Sequence, residues 1–192
     1  KQFHKQTDFD FIPGTPPSNP QYWPKSWTEI QHKEYSRMPK IELPTSFLDL
    51  GSMKGALMKR FSAREYDPTK SISKEELSTI LYYSSGVRPH NENSQGEKVR
   101  RFYPSGGALY PLEIYLAVHR ADGISPGIYH YNVRKHLLEK MTSGISYLQD
   151  IKEGMLYPWS EDAAIMVLIT AVWDRNFQKY NNRGYRITLM EA

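Results

Sequence analysis

The stretch RRFYPSGGALYPLEIYLAV, residues 100–118, constrains the fold more than any other part of the sequence. Its two prolines restrict the backbone, and its two adjacent glycines permit turns that other residues resist, so the chain must turn before residue 112. After the turn, apolar side chains occupy every second position from Leu112 to Val118, where they alternate with Glu113, Tyr115 and Ala117. This period of two predicts a half-buried β-strand that begins directly behind a strongly specified turn.

The turn itself has two explanations that the residues leave open. Gly106 and Gly107 would let a planar ligand lie close to the backbone and would expose amide N–H groups to it. Ser105 would then either cap a short turn or donate a hydrogen bond to the ligand. A tight turn with a purely structural role accounts for the same residues.

Residues 1–46 differ in composition from the rest of the chain. Seven of the 13 prolines fall there, and because proline fixes its own φ angle and restricts the preceding residue, long helices are excluded. The segment also carries too many aromatic side chains for a free tail. These are Phe9, Phe11, Tyr22, Trp23 and Trp27. We therefore expect an extended arm that lies over the body of the domain or over a partner subunit, with residues 47–192 forming the domain itself.

Two helices are predicted in the first half of the domain. A short one is expected to begin at about Ser52. The segment SISKEELSTILYYSSGV predicts a longer one, because Ser73 is suited to the N-cap, Glu76 closes a capping box and Gly86 ends the pattern. The buried face of this second helix is expected to consist of Leu77, Ile80 and Leu81.

Strands and a final helix are predicted in the second half. The segments GIYHYN and HLLEKM predict a hairpin. The nearly continuous apolar run AAIMVLITAVW, from Ala163 to Trp173, predicts a central strand that is covered on both faces. A final helix is expected to start near Asp174 or Tyr180. It carries no stop signal, so we expect a carboxy-terminal piece to be missing from this sequence.

Composition excludes several classes of function. The sequence has no cysteine and so no disulfide, no cysteine-bound metal and no thiol nucleophile, which fits a reducing cytoplasm. Its amino end shows no basic segment followed by an apolar one, and no apolar run approaches 18 residues, so we expect neither a signal peptide nor a membrane span. The net charge of +4 is dispersed rather than gathered into a nucleic-acid-binding stripe, which favours a small anion such as phosphate over nucleic acid. The six histidines lack the spacing of a metal site.

Two polar segments are candidates for chemistry. In KRFSAREYD, two guanidiniums and a hydroxyl, from Arg60, Ser62 and Arg64, can converge on a phosphate, unless the segment is a solvated helix end. In DRNFQKYNNRGYR, Lys179 and Tyr180 follow an apolar strand, and both can transfer protons if burial or neighbouring cations lower their pKa. A polar helix face is the alternative explanation for the second segment.

Taken together, these segments resemble the SagB-type dehydrogenases, a branch of the FMN-dependent nitroreductase superfamily that includes azoline oxidases. The resemblance follows the order FHKQT, IELP, RFSAREYDPTKSISKEELSTILYYSSGV, RRFYPSGGALYPLEIYLAV, GIYHYNVRKHLLEKM and KYNNRGYR. It covers almost the whole chain and is most specific in the PSGGALYP and GIYHY motifs. It implies an α+β, nitroreductase-like fold with a mainly antiparallel sheet flanked by helices, and a homodimer with FMN at the subunit interface.

The resemblance also implies roles for individual residues. The family's Arg-x-Ser-x-Arg phosphate-binding motif is matched by Arg60, Ser62 and Arg64. Its flavin-side loop is matched by Pro104, Ser105, Gly106 and Gly107. The pair that removes a proton from the azoline ring while hydride passes to the flavin is matched by Lys179 and Tyr180.

The implied activity is oxidation of a thiazoline or oxazoline in a modified peptide, with a cyclodehydratase as a candidate partner. Two alternatives stay open: a general NAD(P)H-dependent nitro- or quinone reductase, and a non-catalytic subunit of the same fold that docks a peptide or a partner enzyme. Family members continue beyond RGYR into further flavin contacts, whereas this sequence ends at Ala192. The occupancy of the flavin site is therefore open at this point.

Overall fold

Five strands in the described part of the chain pair into one sheet. The computed structural model describes residues 20–28, 30–89, 100–144, 146, 153–154 and 161–192. The strands are β1 (Lys40–Glu42), β2 (Leu112–Val118), β3 (Gly127–Asn132), β4 (Leu137–Lys140) and β5 (Ile165–Ala171). They lie side by side in the order β1-β4-β3-β2-β5, and every pairing is antiparallel. The α+β class and the predicted hairpin, β3 with β4, are confirmed.

Helices flank this sheet. They are α1 (Lys25–Thr28), α2 (Met53–Lys59), α3 (Lys74–Ser85), α4 (Trp173–Tyr180) and α5 (Arg183–Glu191). The capping box of α3 forms as predicted: Ser73 Oγ accepts the Glu76 N–H, and the Glu76 carboxylate accepts the Ser73 N–H. A cap of this kind contributes about 1 kcal/mol to stability. Across the described ranges, no helix has the length and apolar character that crossing a bilayer requires.

The buried face of α3 is partly polar. Leu77 lies in the core as predicted, but Ile80 is 53% exposed, so its predicted burial is wrong. On the buried face of the helix, Ser78 and Thr79 lie where Ile80 was expected. Ser78 Oγ donates to the Pro44 carbonyl at 2.5 Å, and Thr79 Oγ1 accepts a backbone N–H from the same preceding segment. These bonds to residues 44–48 rotate the helix away from the face that its leucines alone indicate.

β2 lies inside the sheet and is buried on both faces. On one face, Leu116 and Val118 share an apolar core with Leu77 of α3. A half-buried strand would expose the alternate positions, yet Glu113 and Ala117 are buried as well. The predicted half-burial is therefore wrong. The physical reason is that β2 pairs with both β3 and β5, while other segments cover its second face.

β5 lies at an edge of the sheet, so the central position predicted for this apolar run is wrong. It pairs with β2 from Leu112 opposite Ala171 to Val118 opposite Ile165. Among the described residues, no strand pairs along its other side. Its Val167 side chain is 55% exposed. An apolar run shows that a strand is hydrophobic, but the pairing of strands decides whether both of its faces are covered.

The chain forms two final helices rather than the one expected. α4 ends at Tyr180, and Asn181 then turns the chain with a φ of 49° and a ψ of −138°. In the first turn of α5, a side-chain carbon at Gly184 would lie 2.7 Å from Phe177 Cδ1 and 2.9 Å from the carbonyl carbon of Asn176. Glycine at position 184 therefore allows α5 to pack closely on α4.

The segment around α1 lies against α4. The indole N–H of Trp27 donates to the Gln178 carbonyl oxygen over 2.8 Å. Farther along the chain, β1 is the edge strand next to β4, and Leu43 belongs to the core. Phe9 and Phe11 lie outside the described residues, so the boundary between an arm over residues 1–46 and the domain over 47–192 stays a prediction.

Candidate functional site

The loop of residues 105–110 is hydrogen-bonded to one carboxylate of α5. Glu191 Oε1 accepts hydrogen bonds from Ser105 Oγ at 2.9 Å and from the Gly106 N–H at 3.0 Å. Ser105 Oγ in turn accepts the Tyr110 N–H at 2.9 Å. Burial raises the pKa of Glu191, although hydrogen bonds from Gly106, Ser105 and Asn176 act to lower it. Ser105 therefore closes the turn. The Gly106 amide was expected to be exposed to a ligand, but it is bonded to Glu191 within the protein.

The backbone of this loop is left-handed at three positions. The φ angles are 65° at Gly107, 57° at Ala108 and 48° at Tyr110. Glycine adopts this conformation without strain, whereas alanine and tyrosine are strained by about 1 to 2 kcal/mol each. Contacts hold Tyr110 in place: Arg175 Nη1 donates to its carbonyl at 2.8 Å, and its hydroxyl accepts the Arg101 N–H at 3.0 Å.

Lys179 and Tyr180, at the end of α4, lie against Gly107. A side-chain carbon at Gly107 would be 2.6 Å from Tyr180 Oη and 3.0 Å from Lys179 Nζ. Position 107 thus needs glycine both for its φ angle and for the space its missing side chain leaves. The fold brings together two sets of candidate residues, the Ser105–Gly107 loop and the Lys179–Tyr180 pair, that are far apart in the sequence.

The acidity of Tyr180 differs from the expectation. Burial raises the pKa of its phenol, and the nearby Glu191 carboxylate raises it further. The lowering expected from neighbouring cations is therefore wrong for this residue. Arg175, on the same helix, is engaged by Glu113 and the Tyr110 carbonyl instead. The phenol of Tyr180 stays neutral at physiological pH and can donate a hydrogen bond.

Charged side chains are buried within the sheet behind this loop. His130 of β3 is fully buried, with Nδ1 2.8 Å from Glu139 Oε2 and Nε2 3.0 Å from Glu113 Oε2. The ring of His130 therefore bridges two carboxylates, one at each ring nitrogen. Burial acts to raise the pKa of Glu139, but hydrogen bonds from Asn132 and His130 outweigh it and hold the pKa below its usual value.

Arg175 connects these charges to the loop. Its Nη2 forms an ion pair with Glu113 Oε1 at 2.5 Å, while Nη1 donates to the Tyr110 carbonyl. Burial acts to raise the pKa of Glu113, but the hydrogen bond from His130 and the Arg175 guanidinium lower it below its usual value. The ion cluster, which consists of Glu113, His130, Glu139 and Arg175, thus contains two carboxylates, the histidine between them and the guanidinium of Arg175. It joins β2, β3, β4 and α4.

The sequence patterns do not identify the ion cluster. Strict alternation treats Glu113 as a residue of the less buried face, and histidine spacing bears only on metal binding. The available signal is a glutamate inside each of two apolar strands, in LEIYLAV and in HLLEKM. Since an ionised side chain is buried only when it is paired, such glutamates indicate a buried partner without identifying it.

The predicted phosphate-binding residues lie on the exposed segment that follows α2. Arg60 is the C-cap of this helix, Ser62 and Arg64 come next, and all three side chains are exposed. Within the described ranges, none of the three side chains forms a hydrogen bond or an ion pair. Two unengaged guanidiniums and a hydroxyl are a donor set that suits a phosphate. Pro104 is exposed at the start of the loop. The binding roles of these residues stay predictions.

His32 lies near buried cations. Burial, together with the positive charges of Arg101, Arg134 and Arg175, lowers the pKa of His32 from its ordinary 6.5 to about 4. Its Nδ1 atom is buried and has no hydrogen-bond partner among the described residues. His32 is therefore neutral at physiological pH.

An open cavity of about 480 Å³ lies on another part of the molecule. It is bounded by α3 and by residues 48–50 and 66–72, and its lining includes Ile80 and Asp162. No predicted site residue lines it. The cavity is therefore separate from the place where the candidate proton-transfer pair meets the loop.

Comparison with known proteins finds relatives for most of the chain. The nitroreductase family model matches residues 57–192. The chain is 31% identical over 157 residues to the nitroreductase-named protein MJ1384 of Methanocaldococcus jannaschii, covering 80% of this chain and 72% of that protein. It is 27% identical over 163 residues to the trifolitoxin-processing protein TfxB of Rhizobium leguminosarum bv. trifolii, covering 81% and 44%. The chain thus spans less than half the length of TfxB.

A solved structure shows the same fold. The structure is that of the E. coli microcin synthetase McbBCD complex with truncated pro-MccB17 bound, and one of its chains superposes on this one with a TM-score of 0.52. The superposition covers 99% of this chain and 71% of that chain at 19% sequence identity. At this level of identity, the likeness concerns the fold alone.

We expect Gly107→Ala to destabilise the protein more than Gly123→Ala does. Both glycines are left-handed, with φ of 65° and 69°, so alanine is strained by about 1 to 2 kcal/mol at either position. Only at Gly107 does the new methyl group meet Tyr180 and Lys179, since nothing lies within 4 Å of the corresponding position at Gly123. Urea unfolding measures both losses. Equal losses would contradict the close packing of the pair on the loop.

We expect His32 to lower stability as the pH falls. Between pH 6.5 and about 4 the unfolded chain binds a proton at this position that the folded chain does not, so the free energy of unfolding decreases. The His32→Gln variant should therefore lose less stability than the wild type across this window. Denaturant unfolding of both proteins at several pH values measures the difference. Their difference in unfolding free energy at about pH 7.5, where His32 is neutral in both states, gives the pH-independent cost of the substitution, which is subtracted. Parallel curves would show that His32 titrates normally.

Proposed function

Because this chain belongs to the nitroreductase family, we propose that it is an FMN-dependent oxidoreductase of the SagB type. Its proposed substrate is a thiazoline or oxazoline ring in a modified peptide, which it oxidises to the aromatic azole. The observation that carries this proposal is the packing of Lys179 and Tyr180 against Gly107. A proton-transfer pair then lies beside the loop that resembles the flavin-side motif.

The residues present suit FMN in two respects. Arg60, Ser62 and Arg64 offer exposed donors for its phosphate. The loop that includes Gly107 offers a backbone surface with little side-chain bulk for a planar ring. Because the Gly106 N–H is already bonded to Glu191, the ring would meet other atoms of this loop.

Oxidation of an azoline to an azole removes two electrons and two hydrogens from the ring. FMN, when bound, supplies the acceptor for the hydride. Lys179, as a neutral amine, accepts the other hydrogen as a proton from the ring carbon. Tyr180, whose raised pKa keeps its phenol neutral, donates a hydrogen bond that orients the substrate. The two residues thus have different roles, with the amine as the base.

Two contacts keep this pair in position. Arg175 lies one helical turn before Lys179 and is bonded both to Glu113 and to the loop, so α4 is fixed relative to the sheet. Glu191 fixes the loop from α5. This rigidity matters because a general base must lie within about 3 Å of the proton that it removes.

A peptide substrate and partner subunits are supported by two relatives. TfxB is named a trifolitoxin-processing protein, and McbBCD is a microcin synthetase complex with a truncated pro-peptide bound. We propose that this protein likewise acts on a peptide, as a homodimer in the cytoplasm. The azoline must form before it is oxidised. A partner of the cyclodehydratase class, which closes the ring with loss of water, would therefore supply the substrate.

Substitution of the pair should abolish turnover and leave the flavin bound. We expect Lys179→Ala and Tyr180→Phe to stay yellow and to oxidise a thiazoline-bearing peptide about 10²- to 10⁴-fold more slowly, the usual contribution of general acid–base catalysis. Flavin absorbance and turnover are measured on the same samples. Lys70→Ala and Tyr22→Phe, both at exposed positions, are the matched controls.

The alternatives give different results in the same experiment. Colourless Lys179 and Tyr180 variants would make the pair structural, and full turnover in both would overturn its catalytic role. A yellow wild type that reduces nitro compounds or quinones with NAD(P)H and leaves azolines unchanged would favour the general reductase. A colourless wild type would favour a non-catalytic subunit.

Arg64 should matter for flavin affinity. We expect Arg64→Ala to weaken FMN binding by roughly 1.5 to 3 kcal/mol, the contribution of a hydrogen bond to a charged group. Fluorescence titration of the apoprotein with FMN measures this loss, and Arg37→Ala, which removes an exposed arginine elsewhere, is the control. Equal affinities for both variants would remove Arg64 from the phosphate site.

A further inference from the structure

The Trp23 ring lies over the amino group of Lys179. Lys179 Nζ is 4.4 Å from the centroid of this ring, within the distance of a cation–π contact. The same nitrogen is 5.7 Å from the centroid of the Tyr180 ring and borders Gly107. An aromatic residue from the first part of the chain therefore meets the proposed base at the other end of the sequence.

The segment that carries Trp23 is hydrogen-bonded to α4, the helix that carries Lys179. The Trp27 indole N–H donates to the carbonyl of Gln178, which is among the last carbonyls of α4 that a helix leaves without internal partners. Trp23 and Trp27 meet edge to face, with ring centroids 6.2 Å apart. Both tryptophans are half-buried, whereas Tyr22 beside them is 69% exposed. The position of the Trp23 ring is thus tied to the end of α4.

We propose that Trp23 is a positioning residue that holds the Lys179 side chain in place for proton transfer. The catalytic part of this inference rests on the function proposed above, whereas the contact itself does not. A lysine side chain has a long, flexible stem, and ordering it costs up to about 2 kcal/mol in rotamer freedom. A ring that orders Lys179 before substrate binds removes that cost from the reaction step.

An aromatic ring suits this role better than a carboxylate. The face of an indole attracts an ammonium group but has no atom that accepts its proton, so this contact orders the side chain and leaves the proton on the amine. A carboxylate in the same position would favour the charged form strongly and would oppose the loss of the proton. Trp23 therefore orders the amine and leaves it able to cycle between its two protonation states.

The contact is tested by NMR on the purified protein with ¹³C-labelled lysine. The ε-methylene signal of Lys179, identified by its loss in Lys179→Arg, should lie upfield of the other lysine signals, because an indole ring shields groups above its face. Trp23→Leu should remove this shift, and Tyr22→Leu, at the exposed neighbouring position, should keep it. An unshifted signal in the wild type, or a shift that survives Trp23→Leu, overturns the proposal.

The positioning role is tested by turnover of a thiazoline-bearing peptide. Trp23→Leu should lower kcat about 2- to 30-fold, the range that corresponds to the rotamer freedom of one lysine side chain, with KM and melting temperature close to those of Tyr22→Leu. Trp23→Phe keeps an aromatic face and should recover most of the loss. Wild-type kcat in Trp23→Leu, or the same loss in Tyr22→Leu, overturns the positioning role.

A failure of the proposed function gives a different result. If the wild type oxidises no azoline while the Lys179 signal still depends on Trp23, the contact is supported and the azoline-oxidase function is wrong. If the wild type is active and the Lys179 signal is insensitive to Trp23, the function stands and the role of Trp23 is wrong.

Discussion

The ion cluster of Glu113, His130, Glu139 and Arg175 is the interaction on which the arrangement of this protein depends. Taking a charge out of water costs several kcal/mol, and only a well-placed partner of opposite sign offsets this cost. Here each partner comes from a different element, and His130 stands between the two carboxylates. If β2, β3, β4 or α4 shifted, a buried charge would lose its partner, which typically costs 3 to 5 kcal/mol. The cluster therefore selects one packing of these elements.

The candidate site depends on the same constraint. Arg175 uses one end of its guanidinium for Glu113 and the other for the carbonyl of Tyr110, so the strained loop is held by the residue that anchors α4. One turn later on that helix, Lys179 and Tyr180 reach Gly107. The glycine-rich loop has a role that differs from the expected one: its glycines leave space for protein side chains, and one of its amides is bonded to Glu191. A ligand would therefore meet a loop whose shape is already set.

The environments of Lys179 and Tyr180 argue for unequal roles. Burial and a nearby carboxylate keep the Tyr180 phenol protonated. Two of the contacts of Lys179, the Trp23 indole ring and Gly107, offer no atom that accepts its proton. A pair with one neutral hydrogen-bond donor and one amine can orient a ring and accept a proton from it in the same step. The proposed division of roles rests on the surroundings of each residue and not on its chemical type alone.

Local features of this protein are determined by its sequence alone. The capping box of Ser73 and Glu76, the strand that starts at Leu112, the hairpin of β3 and β4 and the α+β class all follow from residues close together in the chain, or from the resemblance that these residues carry. The motif containing Gly107 also marks a demanding turn, because two adjacent glycines before a proline are needed only where the backbone is tightly restricted.

The tertiary structure alone decides what depends on distant partners. It makes β5 an edge strand, buries both faces of β2, turns Ile80 outward and breaks the last helix at Asn181. It also brings Gly107 against Lys179 and Tyr180, and the Trp23 ring onto Lys179. The physical reason is the same in each case. A hydrophobic pattern shows that a residue will be buried, but which element buries it, or which charge pairs with it, is decided by contacts between residues far apart in the chain.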